Sequence, residues 1–103
     1  MITTYIVQAG DRFKIGSSRN WAQRRNALAR DNGDMRDVLV LECANYETAL
    51  RNERLLQAVF FEHNVNYRTD GKWRRSDWFN NLPFANSALS VVTHSKPATE
   101  ELP

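Results

Sequence analysis

Two short β-prone runs close to the N-terminus constrain this chain more than any other feature. Tyr5-Ile6-Val7 and Phe13-Lys14-Ile15-Gly16 flank Gln8-Ala9-Gly10-Asp11-Arg12, whose Gly-Asp pair supplies turn chemistry, so the segment predicts an antiparallel hairpin. Ser17 and Ser18 lead to Asn20, an N-cap residue, with Gln23 three positions on in a capping-box-like arrangement. The helix that follows is expected from Trp21 to about Arg30, ending at Asp31-Asn32-Gly33. Asp37 to Cys43 carries four consecutive branched apolar residues, Val38 to Leu41, and predicts a buried strand.

A second helix fits Tyr46 to about Glu62, because Tyr46, Ala49, Leu50, Leu56 and Phe60 gather on one face at 100° per residue. Glu53 falls near the middle of that face, between Leu50 and Leu56. An ionised carboxylate resists burial unless it is paired or bound to a metal. Pattern alone leaves three readings: a buried salt bridge, a helix rotated to expose Glu53, or a functional carboxylate. The first helix poses a related question, since Arg24 and Arg25 flank the Trp21–Leu28 line. Either could reach over the sheet to a phosphate or extend to solvent. Residues 64–76 are polar, basic and irregular, and apolar character returns at Trp78-Phe79 and Leu82-Pro83-Phe84. Ala88 to Val92 suits a short helix or strand, and residues 95–103 read as a frayed tail. One domain over residues 1–94 and a flexible tail over 95–103 are the expected organisation.

Composition narrows the function. At 42% hydrophobic and 11% aromatic, the 103 residues can build a core. No apolar stretch approaches the ~20 residues of a membrane span, and the first residues lack the basic and apolar regions of a secretory signal. A lone cysteine, Cys43, cannot pair internally and suits a reducing, cytoplasmic setting. Cys43, His63 and His94 lack zinc-ligand spacing. The net charge of +2 conceals blocks: residues 1–30 carry +5, 31–65 carry −4, 66–76 carry +3 and 77–103 carry −2. Two basic blocks around an acidic middle make an anionic partner plausible, nucleic acid first. The stretch Tyr67-Arg68-Thr69-Asp70-Gly71-Lys72-Trp73-Arg74-Arg75 interleaves aromatics and cations. Lys72, Arg74 and Arg75 suit phosphates and Trp73 suits base stacking; a solvated loop anchored by Trp73 is the competing reading.

Tyr5-Ile6-Val7, Lys14-Ile15-Gly16 and Arg24, eight residues after the glycine, resemble the opening of the GIY-YIG nuclease superfamily, in the branch whose second motif reads KIG. Glu53-x-x-Leu56-x-x-x-Phe60 and the closing Asp77-Trp78-Phe79 are similar to that branch's later motifs, so the likeness runs from about Thr4 to Leu82. Thr4-Tyr5-Ile6-Val7 stands without the Gly-Ile of the superfamily's first motif, Lys14 replaces the tyrosine of its second, and Asp77 replaces the branch's usual Glu. Asn64, Asn66, Asn80 and Asn81 all compete for the asparagine that the superfamily often carries after the helix.

The resemblance implies a small α/β domain: a three-stranded, antiparallel-rich sheet flanked by helices in the order ββαβα plus a C-terminal element. It also implies a metal-dependent DNA endonuclease. In that reading Glu53 holds Mg²⁺ or Mn²⁺, Arg24 stabilises charge on the phosphate, and Tyr5 is the general base, its pKa lowered by Lys14 and the metal. Gly16 lets the backbone turn closely from strand to helix. Arg25 and the 67–75 stretch contact the nucleic acid. Weak sequence specificity, recruitment by a protein partner, and single-stranded or structured DNA as substrate are expected of so small a domain. The alternative is a catalytically silent nucleic-acid-binding or protein-interaction module on the same scaffold.

Overall fold

A computed structural model describes residues 1–80, Ala88, Val92, Lys96 and Pro97, with Tyr67, Arg75, Lys96 and Pro97 described in their backbone only. Strands β1 (Thr3–Ala9) and β2 (Arg12–Ser18) form the expected hairpin. Gly10 at φ 61° takes the left-handed first position of its two-residue turn, as a type II′ connection requires. Helix α1 (Trp21–Asn32) starts at Asn20, whose side chain accepts from the Gln23 N–H, and ends where the Gly33 N–H returns to the Ala29 carbonyl. Strand β3 (Arg36–Glu42) follows, and then helix α2 (Tyr46–Val59), capped by Asn45 accepting from the Thr48 N–H at 2.8 Å. Among the described residues no helix is long and apolar enough to cross a membrane.

The α/β class and the ββαβα order agree with the sequence, but the sheet is wider than three strands. Residues 64–76 are not an irregular loop. After a 3₁₀ turn (Phe61–His63), they supply β4 (Asn64–Thr69) and most of β5 (Lys72–Asn80), a second hairpin. Asp70 (φ 50°) and Gly71 (φ 74°) turn it, both left-handed as an Asp-Gly type I′ turn demands. Lys96–Pro97 of the expected tail form a two-residue strand, β6, beside Leu41 and Glu42 of β3. The sheet order is β4-β5-β2-β1-β3-β6, with antiparallel neighbours throughout. The segments at Leu82-Pro83-Phe84 and most of 88–92 lie outside the described residues; Ala88 and Val92 are buried.

Strand β1 is central, so alternation along it feeds two cores. Tyr5 and Val7 pack with Trp21 and Leu28 of α1 and with Val40 on one face. Ile6 joins Ile15, Leu41, Ala49, Leu56, Phe60 and Phe79 on the other, beneath α2. Each fully buried branched side chain contributes roughly 1.5–3 kcal/mol. Of the expected face, Ala49, Leu56 and Phe60 are buried, while Tyr46, Leu50 and Glu53 are only half-buried, and Asn52 takes the central inward position. Asn52 is fully buried and its Nδ2 donates to Cys43 Sγ at 3.7 Å, while Thr4 Oγ1 donates to the Ala49 carbonyl at 2.9 Å. These polar contacts orient α2 on the sheet. Glu53, next to Asn52, is thereby turned to the helix flank and left half-buried.

Candidate active site

The site arises from a mismatch in strand pairing. Strand β5 pairs with β2 only at Arg12, Phe13 and Lys14, through Asn80, Phe79 and Trp78. From Ile15 to Ser18 the edge of β2 facing away from β1 has no strand partner among the described residues. Side chains from both faces of the sheet can meet at that open edge. The Ile15 carbonyl there accepts a side-chain bond instead, from Gln57 Nε2 at 3.3 Å.

Tyr5 comes from the α1 face. Its ring is buried, stacked at a tilt on Trp21 (centroids 4.7 Å apart), and lies across Gly16, its register partner. A Cβ built on Gly16 would stand 2.5 Å from the Tyr5 hydroxyl oxygen and 2.6 Å from Cζ. The sequence reading of Gly16 as a strand-to-helix turn is therefore corrected: it lies inside β2, and its missing side chain is the space Tyr5 fills. Arg24 Nε donates to the Tyr5 hydroxyl at 3.3 Å, with the arginine otherwise exposed.

Glu53 comes from the α2 face. Ser17 Oγ donates to its Oε1 at 2.9 Å. Burial raises the Glu53 pKa, against the Ser17 hydrogen bond, and the negative charge of Asp77 raises it further. Lys14, buried on β2, forms an ion pair with Asp77 (Nζ–Oδ2 3.7 Å) and lies over the Trp78 ring at 5.2 Å. Burial lowers the lysine's pKa and Asp77 partly restores it.

Asp77 owes its position to a bulge. Asn64 pairs with Phe79 and Asn66 with Arg75, so three residues of β5 stand opposite one of β4. Ser76 Oγ donates to the Val65 carbonyl at 2.6 Å and accepts from the Trp78 N–H at 3.1 Å. Asn64 Nδ2 donates to the Ser76 and Trp78 carbonyls at 2.7 and 3.3 Å. Bulges re-aim side chains beside functional sites, and this one presents Asp77 to Lys14 and to Gln57 Nε2 at 3.4 Å. Of the four competing asparagines, Asn64 is the one built into this bulge. Asn66 and Asn80 are exposed on β4 and β5, and Asn81 lies outside the described residues.

Tyr5, Lys14, Gly16, Arg24 and Glu53 are thus brought to one edge. One expectation changes. Lys14 and the metal were to lower the Tyr5 pKa; in the protein alone burial raises it, and the cation that chiefly opposes this is Arg24. Arg25, expected at the nucleic acid and not among the catalytic groups, ties α1 to β3: its Nε donates to Asp37 Oδ1 at 2.7 Å and a terminal nitrogen to the Met35 carbonyl at 3.2 Å. Lys72, Trp73 and Arg74 lie exposed on β5, and Trp73 at 69% exposure is no hydrophobic anchor. Arg75 stands opposite Asn66 on the same hairpin. Ser17, Gln57 and the bulge escaped the sequence reading, although Asp70-Gly71 is a strong hairpin signal.

The carboxylate set is small. Among the described residues no cluster of three or more His, Cys, Asp or Glu forms. A hard cation that takes one or two carboxylates and otherwise waters and phosphate oxygens fits Glu53, whose Oε1 alone is engaged by Ser17.

No curated protein and no solved structure matches the chain. A family model does, over residues 2–94, the span that holds β1, β2, both helices and every residue at the open edge of β2. By that match the chain belongs to the T5orf172 domain family.

Proposed function

We propose that this chain is a nuclease of the GIY-YIG type, hydrolysing DNA phosphodiesters with a divalent cation. The observation that carries the reading is the meeting of Tyr5, Arg24 and Glu53 at the unpaired edge of β2, across a glycine that leaves room for the tyrosine ring. The nucleic-acid association of the T5orf172 domain family supports it.

Glu53 is the residue that would hold Mg²⁺ or Mn²⁺, with Ser17 fixing the carboxylate's orientation. When bound, such an ion neutralises phosphate and leaving-oxygen charge. Arg24 presents a planar, permanently charged guanidinium to the non-bridging oxygens, a donor already oriented by its bond to Tyr5. As the phenolate, Tyr5 would orient the attacking water and take up its proton, becoming the neutral phenol. Arg24 favours the phenolate and burial opposes it, so the basicity of Tyr5 depends on how much positive charge surrounds it. Lys14, held by Asp77, offers a further cation to the phosphate while protonated. The β4–β5 hairpin, with Arg68, Lys72 and Arg74 exposed around Trp73, contacts the nucleic acid outside the site. Unpaired bases suit Trp73, because a stacking platform needs an exposed base face. A protein partner that recruits the domain belongs to the same reading.

The test is a cleavage assay on labelled single-stranded, duplex and flapped DNA with Mg²⁺, Mn²⁺ or EDTA. Cleavage that EDTA abolishes and Glu53→Gln removes is expected. Failure to cleave any of these substrates, with DNA binding retained, would leave a silent binding module in its place.

A further inference from the structure

A cavity of about 490 Å³ opens beside Arg24, between the β2–α1 connection and α2, with Ser17, Ser18, Arg19, Gln23, Arg24 and Tyr46 on its walls. Its lining contains no carboxylate. Across the site, the cavity of about 380 Å³ beside Gln57 carries both Arg54 and Asp77 on its walls, so of these two flanks only the one at Arg19 and Arg24 is charged by cations alone. Arg19 lies with its guanidinium carbon 4.1 Å from the centre of the Tyr46 ring. That stacking restricts an otherwise flexible cation and leaves its in-plane N–H groups available at the ring's margin. Among the described residues neither Arg19 nor Arg24 forms an ion pair with a carboxylate. Two permanent charges therefore face one cavity of mixed polar and apolar walls that shares Ser17 and Arg24 with the candidate active site.

We propose that this cavity is a phosphate subsite, in which Arg19, stacked on Tyr46, holds the backbone of a DNA strand next to the phosphate at Arg24. The strand then crosses the open edge of β2, entering or leaving past Ser18 and Gln23, whose polar side chains suit sugar and phosphate oxygens. Charge complementarity selects the occupant: the walls offer two guanidiniums, the hydroxyls of Ser18 and Tyr46 and the amides of Asn20 and Gln23, and no acidic group to repel a phosphodiester, the Ser17 hydroxyl being given to Glu53. The direction of the strand rests on the nuclease reading; the binding does not.

The experiment measures binding of fluorescent single-stranded and duplex DNA by the full chain in EDTA, across a range of salt. Arg19→Ala is expected to weaken binding about tenfold at low salt, the scale of one charge-assisted hydrogen bond. It should also reduce the salt slope by roughly 0.7–0.9, one phosphate's share. Arg19→Lys should keep the slope yet lose part of the affinity, and Tyr46→Ala should reduce affinity without changing the slope. Arg30→Ala, on the same segment's exposed side beside Asp31, is the control and should change neither. Unchanged affinity and slope in Arg19→Ala would overturn the subsite, as would absence of binding by the wild-type chain. Binding in EDTA is read without cleavage, so a wild-type chain that binds through Arg19 there but does not cleave once Mg²⁺ or Mn²⁺ is added would support the subsite while refuting the nuclease.

Discussion

Tyr5 and Gly16 face each other across the β1–β2 hairpin, and the tyrosine ring occupies the volume that a side chain at position 16 would need. Gly16 is not in a left-handed conformation, so its requirement is steric and not conformational. This relationship couples the fold of the hairpin to the placement of the hydroxyl that Arg24 holds.

Gly16→Ala should displace the ring and cost roughly 1–3 kcal/mol, the range for overpacking a close-packed interior. Denaturant unfolding measures this. Combining it with Tyr5→Leu should cost less than the two changes summed, because the clash disappears with the ring. Strict additivity would show that the alanine is accommodated elsewhere.

Glu53→Gln should abolish cation-dependent cleavage while stabilising the fold at neutral pH. Burial raises the carboxylate's pKa in the folded state, so ionisation costs stability once pH exceeds that raised value. The gain in the variant should therefore be present at pH 7 and vanish below the unfolded pKa, at about pH 4. Half exposure keeps it under about 1 kcal/mol. Unfolding curves at the two pH values decide the sign; a loss of stability at pH 7 would contradict it.

Arg24→Ala and Arg25→Ala should separate cleanly. Loss of Arg24 is expected to lower turnover about 10²–10³-fold, the scale for removing a preorganised charge donor, with little change in stability. Loss of Arg25 should cost about 0.5–1 kcal/mol of stability through its partly exposed pair with Asp37. Turnover per folded molecule should not change. Single-turnover rates together with unfolding midpoints distinguish the two, and equal effects would refute the assignment.

Lys14 should titrate below an ordinary lysine, because burial lowers its pKa. Asp77→Asn removes the charge that opposes this and should move the midpoint lower still. NMR titration of the lysine Cε signal reads it directly, independent of catalysis. A midpoint that rises in the variant would mean that Asp77 does not pair with Lys14 in solution.

The combined replacement of Lys72 and Arg74 by Ala should weaken DNA binding and flatten its salt dependence, by about 0.7–0.9 for each phosphate that is no longer neutralised. Trp73→Ala should weaken single-stranded binding more than duplex binding, at about 1–3 kcal/mol per stacked base. Equal weakening on both substrates would remove the stacking role.

Local signals carried most of the architecture. Gly10-Asp11 between two β-prone runs, Asn20 before an apolar line, and the apolar repeat through α2 each act within a few residues, so the ββαβα order could be read directly from the chain. Glu53 was recognisable because a carboxylate within an apolar stripe is anomalous, and Arg24 because it stands eight residues after Gly16, the spacing of the family resemblance. The rest was decided by tertiary structure. Burial of Asn52 against Cys43 rotates α2, and that rotation, invisible to a hydrophobic pattern, puts Glu53 at the edge beside Ser17. Arg24 and Arg25 are equivalent by periodicity; the positions of Tyr5 and Asp37 on different strands give each its own partner. The β4–β5 hairpin has polar faces, so no alternation marked it, and its bulge depends on Asn64 and Ser76 bonding across strands. Gly16 was visible as a glycine, but the reason for it lies on the neighbouring strand in Tyr5, where pairing and not sequence proximity brings the ring over it.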